Sequence, residues 1–456
     1  MTLWNYIKEN MLKHPFQKVC EKNVSMTYEE LVVYAENLKE ELRGESCCAV
    51  CCHSEMAAAM ALLGCFAAGV TAVPLTVRYG PLHFKKIMKL LSPSCVITDV
   101  EGGLGIYSVS DSTYSQPKEK PALIMWTSGT SGIPKGAMLS DENVIFNLRD
   151  ISAYFKIGAK DSILIFRPIY HSAVLTGEFL TALIKGTEIV FCSEPFNPET
   201  IFELLKSRGI TVLGGTPSLL RMLVHFTREG DNICLKHMAV SGECMGETLG
   251  RQLRAAFPQA DIYHVYGLTE ACPRVCYMPP EYFDEAPDCV GIPLGSVKCE
   301  IRDRKGRMVR KGRQGMLWVK GPNVMAGYYN NRALTEKTLH NGWLRTGDLA
   351  CIKHGRWLKI TGRCDDLIIR AGVNIYPREI EAEIEKDPRT DEVLVYGYEE
   401  PGYGMQIGMK IAGAFRDVKE VRSMCTKRLP GFQVPVKYEL LRELPKNSSG
   451  KIIRRK

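Results

Sequence analysis

The stretch that decides the fold is a run of small polar residues, Thr127-Ser128-Gly129-Thr130-Ser131-Gly132-Ile133-Pro134-Lys135-Gly136. The apolar residues 122–126 before it predict a buried strand, and residues 140–142 after it have the side chains of a helix start. The sequence therefore predicts a loop between a strand and a helix. Three glycines let backbone N–H groups approach an anion, four hydroxyl groups add donors, and Lys135 adds a positive charge. This composition predicts a polyphosphate site.

Two interpretations of the loop stay open at this point. It is not a Walker motif, because Pro134 stands where that motif has glycine before its lysine. A flexible Ser/Gly surface loop is the plain alternative for a short run of this kind. The preceding strand and the Lys-Gly ending favour phosphate binding.

Residues 127–136 resemble the signature loop of the adenylate-forming superfamily: acyl- and aryl-CoA synthetases, peptide-synthetase adenylation domains and firefly luciferase. In that family the loop holds the β- and γ-phosphates of ATP. The resemblance implies that ATP is bound by Thr127, Ser128, Gly129, Thr130, Ser131, Gly132 and Lys135, and that Thr130 also contacts Mg²⁺. Further motifs in family order extend the resemblance over essentially the whole chain.

Length, charge and cysteine content narrow the class of protein. A chain of 456 residues exceeds one ordinary core and predicts two or three domains. Its 59 basic and 51 acidic residues give a net charge of +8, which favours anionic ligands such as nucleotides or coenzyme A. The sequence has no nucleic-acid-binding module. Seventeen scattered cysteines without a secretory signal predict free thiols in the cytoplasm.

Two segments invite other interpretations. Residues 47–53 hold four cysteines and one histidine, but no second Cys/His pair follows at zinc spacing, so we predict a buried strand instead of a metal site. Residues 56–73 are apolar and long enough to span a bilayer. They are rich in alanine, however, and lack flanking basic and aromatic anchors, so a buried helix and no membrane span are predicted.

Strand and helix patterns alternate to about Phe257 and predict an α/β fold with doubly wound parallel sheets. From Gly291 onward, short strands with turn residues predict a smaller β-rich unit. With the hinge that the resemblance implies, we expect a large N-terminal domain (1–362, including a β-rich subdomain at 290–362), a hinge (363–366) and a small mobile α+β C-terminal domain (367–456).

Two further motifs of the resemblance concern the nucleotide. They imply that Tyr266 stacks on adenine, that Thr269 bonds the α-phosphate, and that Glu270 coordinates Mg²⁺, a hard cation suited to carboxylate and phosphate oxygens. Gly242 and Glu243 match the strand end at the adenine edge, although many members have glycine in place of Glu243. A strand-end turn with a helix cap is the plain alternative for the first motif.

The later motifs complete the implied site. Asp348 would accept both ribose hydroxyls, because a carboxylate presents two acceptor oxygens. Arg363 would contact ribose or phosphate, Asp365 would be the hinge pivot, and Gly372 would line the pantetheine tunnel. Lys451 matches the C-terminal lysine that reaches the acyl carboxylate and the α-phosphate. A cation placed there stabilises the transition state by a factor on the order of 10²–10³ in rate.

The residues around His171 concern the acid. Adenylation domains for α-amino acids have an amine-binding Asp at this point of the pattern, whereas this chain has Tyr170-His171. An amino-acid substrate is therefore disfavoured. His171 is expected to wall or gate the acid pocket, with a structural core histidine as the alternative. Residues 214–217 and 271–273 are expected to line the same pocket, where the two glycines of the first segment leave space.

These observations predict an ATP-dependent carboxylic acid:CoA ligase that forms an acyl-adenylate from a fatty or aromatic acid. A ligase that loads the phosphopantetheine arm of an acyl carrier protein shares every motif and is the alternative. A non-enzymatic nucleotide-binding scaffold is disfavoured because Glu270, Asp348 and Lys451 are all present. The sequence does not give the oligomeric state.

Overall fold

The computed structural model describes residues 1–76, 81–127, 134–228, 231, 233–370, 373–400, 404–447 and 451–454. Within these residues the strands are β1 (Lys18–Glu21), β2 (Val24–Thr27), β3 (Cys47–Val50), β4 (Thr71–Pro74), β5 (Cys95–Val100), β6 (Gly103–Ser108), β7 (Leu123–Thr127), β8 (Lys135–Leu139), β9 (Ser162–Ile165), β10 (Glu188–Phe191), β11 (Val212–Gly215), β12 (His237–Val240), β13 (Asp261–Gly267), β14 (Arg274–Tyr277), β15 (Ile292–Pro293), β16 (Lys298–Arg302), β17 (Gly315–Lys320), β18 (Gly327–Tyr328), β19 (Leu339–His340), β20 (Trp343–Lys353), β21 (Trp357–Arg363), β22 (Ile368–Arg370), β23 (Val373–Ile375), β24 (Thr390–Glu400), β25 (Gly404–Gly413) and β26 (Lys437–Leu441). The helices are α1 (Leu3–Met11), α2 (Tyr28–Glu41), α3 (Glu55–Ala68), α4 (Pro81–Leu91), α5 (Asp141–Tyr154), α6 (Ser172–Val174), α7 (Thr181–Lys185), α8 (Pro198–Ser207), α9 (Pro217–Val224), α10 (Glu247–Ala256), α11 (Arg332–Thr338), α12 (Pro377–Ile384) and α13 (Val418–Arg428).

Two large sheets make up most of the N-terminal part. One has the order β15-β14-β13-β12-β11-β9-β10-β1-β2, and the other has the order β18-β8-β7-β4-β3-β5-β6. Their inner strands are parallel, as in β9–β11–β12–β13 and β7–β4–β3–β5. Helices such as α3 and α5 pack against them, which confirms the predicted α/β class.

Two smaller units follow along the chain. Strands β16, β17, β20, β19 and β21 form an antiparallel sheet, as the turn-rich sequence after Gly291 predicts. Beyond it, β24, β25 and β26 form a three-stranded sheet, and the nearby β22 and β23 form a hairpin. Residues between Ile368 and Leu429 build a separate hydrophobic cluster there, with α12 and α13 packed on it.

Local sequence explains several helix boundaries. Glu30 N–H donates to the Thr27 hydroxyl and Thr27 N–H donates to the Glu30 carboxylate at 2.7 Å, so the capping box at the start of α2 is formed. The apolar segment at residues 56–73 becomes α3 and β4, both largely buried. Gly69 ends α3 with a φ of +64°, the left-handed conformation that glycine adopts without strain. Among the described residues, no helix combines the length and the apolar character needed to cross a membrane.

One predicted connection is wrong. The Ser/Gly/Thr loop does not lead from a strand straight into a helix, because β8 intervenes before α5. Strands β7 and β8 pair antiparallel, with Thr127 opposite Lys135. The described ends of the loop therefore belong to two paired strands. The short apolar run of β8 lies directly before the cap of α5, and a five-residue run gives too few positions for strand and helix periods to be told apart.

The helical segment that follows His171 is interrupted. The segment Leu175–Leu180 is a π-helix between α6 and α7. A π-helix has one more residue per turn than an α-helix and often lies at a functional site. Here it brings Gly177 and Glu178 next to the strand ends described below.

Candidate active site

The predicted site residues gather at one edge of the nine-stranded sheet. The parallel strands β9, β11, β12 and β13 all end there, followed by Arg167, Thr216, Gly242 and Thr269. Carboxyl ends of parallel strands are where α/β folds commonly bind ligands. Residues from β20, β21 and the C-terminal tail meet this edge, so groups far apart in sequence share one site.

A buried cluster lies on the β20 and β21 side of this edge. The Asp348 carboxylate accepts a hydrogen bond from the Tyr266 hydroxyl at 2.5 Å and forms an ion pair with Arg363 at 2.9 Å. Burial raises the pKa of Asp348, and Arg363 opposes that rise. Burial, followed by the charge of Asp348, raises the pKa of Tyr266, which therefore keeps its proton. The cluster holds a charged acceptor in a fixed position, as a ribose diol requires.

Lys135 and Glu270 are connected through a tyrosine. The Tyr328 hydroxyl donates to the Glu270 carboxylate at 2.7 Å. The Lys135 ammonium lies 5.7 Å from the centre of the Tyr328 ring, within the range of a cation–π contact. The sequence indicated both charged residues but not Tyr328, because the partners are 58 residues apart.

Thr269 and His171 lie on neighbouring elements. The Thr269 hydroxyl is 3.1 Å from the Ser172 hydroxyl, and His171 immediately precedes Ser172. His171 Nε2 is buried without a hydrogen-bond partner among the described residues. Burial lowers the pKa of His171 well below its ordinary value, and the charges of Lys451 and Arg167 lower it further. The imidazole is therefore neutral near pH 7.

The C-terminal tail places Lys451 on the same edge. A Cβ added to Gly242 would lie 2.9 Å from Lys451 Cε and 3.5 Å from its Nζ, so the end of the lysine covers this glycine. Gly242 also has a φ of +96°, which disfavours any other residue. Burial lowers the pKa of Lys451, and the charge of Glu243 opposes that effect.

Glu243 bonds to two parts of the chain. One oxygen accepts a hydrogen bond from Ile452 N–H at 3.0 Å. The other accepts from the hydroxyl and the N–H of Ser218 at the start of α9, at 2.7 and 3.1 Å. Glu243 thus fastens the tail to the large sheet. Sequence alone gave no signal of this role, because Ile452 is 209 residues away.

The glycines expected to leave space for the acid are covered by the chain itself. The position of a Cβ on Gly214 is occupied by the Glu178 carboxylate, and that on Gly215 by Leu220. Glu178 is 1% exposed and is paired with Arg167, which is 4% exposed. The expectation of an open space beside these glycines is therefore wrong, since Glu178 and Leu220 fill it.

Some predicted residues lie outside the described part of the chain: Ser128, Gly129, Thr130, Ser131, Gly132 and Gly372. Thr127 ends β7 and Lys135 begins β8, so the two described ends of the loop pair with each other. Asp365 lies in a 3₁₀ turn, Cys364–Asp366, directly after β21. Its carboxylate is 3.9 Å from Arg363.

Comparison with known proteins identifies a family. A family model described as AMP-binding enzyme matches residues 7–329. A feruloyl-CoA synthase from an Amycolatopsis species is 27% identical over 419 residues, or 86% of this chain and 84% of the relative. The 2-succinylbenzoate–CoA ligase of Bacillus subtilis (strain 168) is 30% identical over 340 residues, or 73% and 68%. The crystal structure of ATP-bound MatB from Rhodopseudomonas palustris has a TM-score of 0.87 at 25% identity and covers 99% of this chain and 97% of that one.

The fold and the family match together define the class of adenylate-forming enzymes. The chain belongs to the AMP-binding enzyme family, with more than half of its length matched by the family model. The resemblance seen in the sequence is thereby confirmed.

Proposed function

We propose that this protein is an ATP-dependent ligase that joins a small carboxylic acid to the thiol of coenzyme A by way of an acyl-adenylate. One observation carries the proposal: the Lys451 ammonium lies on Gly242, in the electrostatic field of Asp348 and Glu243. The relatives named for feruloyl-CoA and 2-succinylbenzoate–CoA support acid activation with coenzyme A as the acceptor. The relatives' names refer to different acids, so they do not identify the acid that this chain activates.

In the first half-reaction the acid carboxylate attacks the α-phosphorus of ATP and pyrophosphate leaves. A free carboxylate is a poor electrophile because its leaving group would be oxide, whereas AMP leaves readily. The fixed Asp348 carboxylate accepts hydrogen bonds from the ribose. The Thr269 hydroxyl donates to the α-phosphate, and the Lys451 ammonium stabilises the charge that develops between the acid and the phosphorus.

The residues present also fit Mg²⁺. Among the described residues no cluster of three or more His, Cys, Asp or Glu side chains is placed to hold a metal. Mg²⁺ bound mainly by phosphate oxygens needs only one or two carboxylates from the protein. Glu270 would supply that carboxylate, with its orientation fixed by Tyr328. When bound, Mg²⁺ neutralises charge on the phosphates.

In the second half-reaction the thiol of coenzyme A must reach the carbonyl next to Lys451, so the tail has to withdraw. The contacts of described residues that join the C-terminal part to this edge include Lys451 on Gly242, Ile452 N–H with Glu243, Arg378 with the Cys244 carbonyl at 3.1 Å, and Arg221 with Glu385 at 3.9 Å. We infer that residues 367–456 rotate about Asp365 in the turn after β21, and that Gly372 lines the path of the thiol arm.

A reducing compartment is part of the proposal. All seventeen cysteines are free thiols, and most are buried or half-buried. Free thiols in this number suit the cytoplasm, where glutathione and thioredoxin keep cysteines reduced.

A pyrophosphate-release assay with a panel of aromatic and aliphatic acids tests the proposal. We expect acid-dependent release, and thioester formation only when coenzyme A is added. A phosphopantetheinylated acyl carrier protein serves as the second acceptor. Faster transfer to the carrier than to coenzyme A would replace the acceptor in the proposal, and no release with any acid would contradict ligase activity.

A further inference from the structure

A buried carboxylate holds the C-terminal tail shortly after Lys451, and the steps above do not use it. Glu381, in α12, is 0% exposed. It accepts two hydrogen bonds from the Arg454 guanidinium, at 3.0 and 2.5 Å, and one from Val395 N–H at 2.8 Å. A bidentate pair of arginine and carboxylate fixes both the distance and the orientation of its two groups. The chain is therefore fixed to α12 three residues after the lysine.

Two arginines keep this carboxylate ionised. Burial acts to raise the pKa of Glu381, but the charges of Arg454 and Arg378 outweigh burial and hold that pKa below its ordinary value. Arg378 lies 3.3 Å from Glu381 and also donates to Glu385 at 2.8 and 3.2 Å. Removal of one partner from a buried ion pair leaves the other charge uncompensated, which is strongly unfavourable. The pair of Arg454 and Glu381 is therefore a firm attachment.

The segment before Lys451 is attached to the same part of the chain. Glu392, in β24, forms an ion pair with Lys446 at 2.7 Å. The two sides of the tail also pair with each other, because Lys446 and Ile452 form an antiparallel bridge. Lys451 thus lies between two ionic attachments, Glu392 before it and Glu381 after it.

Arg378 joins the second attachment to the large sheet. Its guanidinium donates to the Cys244 carbonyl at 3.1 Å and to the Glu381 carboxylate at 3.3 Å. Cys244 directly follows Glu243, which accepts the hydrogen bond from Ile452 N–H. The two carboxylates that hold the tail are therefore linked to each other, and the tail between them has one position relative to the sheet edge.

Given the proposed ligase function, we propose that Arg454 is a positioning residue for acyl-adenylate formation, because its ion pair with Glu381 holds the Lys451 ammonium at the sheet edge. A displacement of about 1 Å in a reacting group can reduce a rate by about 10²-fold. The ion pair lies within the part of the chain that rotates, so it is kept in both half-reactions, whereas the contact of Arg378 with Cys244 is broken. The tail then moves as one body with the C-terminal part.

The two half-reactions of an Arg454→Met variant test this inference. Single-turnover formation of the acyl-adenylate should fall by about 10- to 100-fold, since a hydrogen bond to a charged group contributes about that factor. Thioester formation from supplied acyl-adenylate should stay close to the wild-type rate. Arg454→Lys keeps the charge and should recover part of the loss. Wild-type adenylation by Arg454→Met, or equal loss of both half-reactions, would overturn the inference.

A matched control removes another arginine of the C-terminal part. Arg389 forms ion pairs with Asp387 at 2.9 Å and with Glu420 at 2.6 Å, all within that part of the chain. Arg389→Met should leave both half-reactions near their wild-type rates. A selective loss of adenylation in this control, as large as that of Arg454→Met, would contradict a specific role for Arg454.

The lysine variant separates positioning from a general loss of stability. In a Lys451→Ala background, Arg454→Met should cause no further loss of adenylation, because no ammonium remains to be positioned. Glu381→Gln should lower adenylation as Arg454→Met does, and the double variant should be no slower than either single variant. A further loss of similar size in the Lys451→Ala background would show that Arg454 supports the fold instead.

Amine labelling gives a readout that does not depend on turnover. Nucleotide-free protein is treated with a water-soluble N-hydroxysuccinimide ester, and modification of Lys451 is followed by mass spectrometry. The rate should rise in Arg454→Met and stay at the wild-type value in Arg389→Met. Equal rates in the wild type and Arg454→Met would contradict the inference. Absence of pyrophosphate release by the wild type with any acid would remove the proposed function, whereas the labelling rates would still test whether Arg454 holds Lys451 at this edge.

Discussion

Two groups of predicted site residues are held in very different ways. In the cluster of Tyr266, Asp348 and Arg363, the last two lie opposite each other on the paired strands β20 and β21, and Tyr266 on β13 bonds to Asp348 from another sheet. The lysine half comes from a tail whose fastening to the same edge includes one hydrogen bond, from Ile452 N–H to Glu243. The difference predicts that the strand cluster stays in place while the tail can leave this edge.

Removal of the lysine is the strongest test of this comparison. Lys451→Ala should reduce acyl-adenylate formation by a factor on the order of 10²–10³, because the cation acts where charge develops in the transition state. Thioester formation from supplied acyl-adenylate should stay within a few-fold of wild type. Single-turnover assays of each half-reaction measure this. An equal loss of acyl-adenylate formation and thioester formation would show that the tail does not leave the site between the two half-reactions.

A rigid hinge should produce the opposite pattern. Asp365→Pro fixes φ and removes an N–H in the turn after β21, so rotation of residues 367–456 is blocked. We expect thioester formation to fall by about 10²-fold, with adenylation largely retained. The substitution would slow the rotation of the domain and leave the chemical steps unchanged. The same two assays apply, and Asp366→Asn in the same turn is the control. Normal overall turnover of Asp365→Pro would exclude Asp365 as the pivot.

The docking of the tail can also be tested by weakening the contact between Glu243 and Ile452 N–H while Lys451 is kept. Glu243→Gln deprives Ile452 N–H or Ser218 of a charged acceptor, which is worth roughly tenfold in the docking equilibrium. Adenylation should fall by about that factor, and thioester formation should be unchanged or faster. Glu247→Gln, on the neighbouring exposed surface of α10, is the matched control. Equal slowing of both half-reactions would argue that Glu243 supports the fold and not the docking.

The smallest expected effect is in the pH dependence. Lys451 acts in its protonated form, and burial lowers its pKa in the folded protein. Adenylation should therefore be lost as pH rises through a value below the ordinary lysine range, and kcat/KM for ATP reports this group in the free enzyme. Lys451→Arg should move the alkaline limb upward, because arginine stays protonated. An alkaline limb at the same pH in both proteins would assign it to another group.

Local sequence was sufficient for much of the fold. The alanine-rich composition of α3 predicted its burial, and Thr27 and Glu30, three residues apart, explain where α2 begins. The β7–β8 hairpin was missed because the five residues of β8 run into the cap of α5. Local patterns decide an element only where it spans several periods.

The predicted site residues also fall into those that belong to local motifs and those whose partners are distant in the sequence. Asp348, Glu270 and Lys451 were predicted because each belongs to a motif of the family that the sequence resembles. Sequence reasoning missed the bond of Tyr328 to Glu270, the bond of Ile452 N–H to Glu243, and the burial of Arg274. The first two partners are 58 and 209 residues apart, and the burial of Arg274 against Gly177 arises only from tertiary packing. Arg274 had one local sign, an arginine at the start of an otherwise apolar strand, Arg-Val-Cys-Tyr.

The π-helix at Leu175–Leu180 places buried charges beside the sheet edge. Its extra residue sets the direction in which Glu178 points and keeps Gly177 under Arg274. Loss of one residue there would convert the turn to a regular α-helix and rotate everything after it by about 100°. Glu178 would then leave Gly214 and Arg167. A single codon deletion would thus break a buried ion pair while leaving the sequence of every neighbouring strand unchanged.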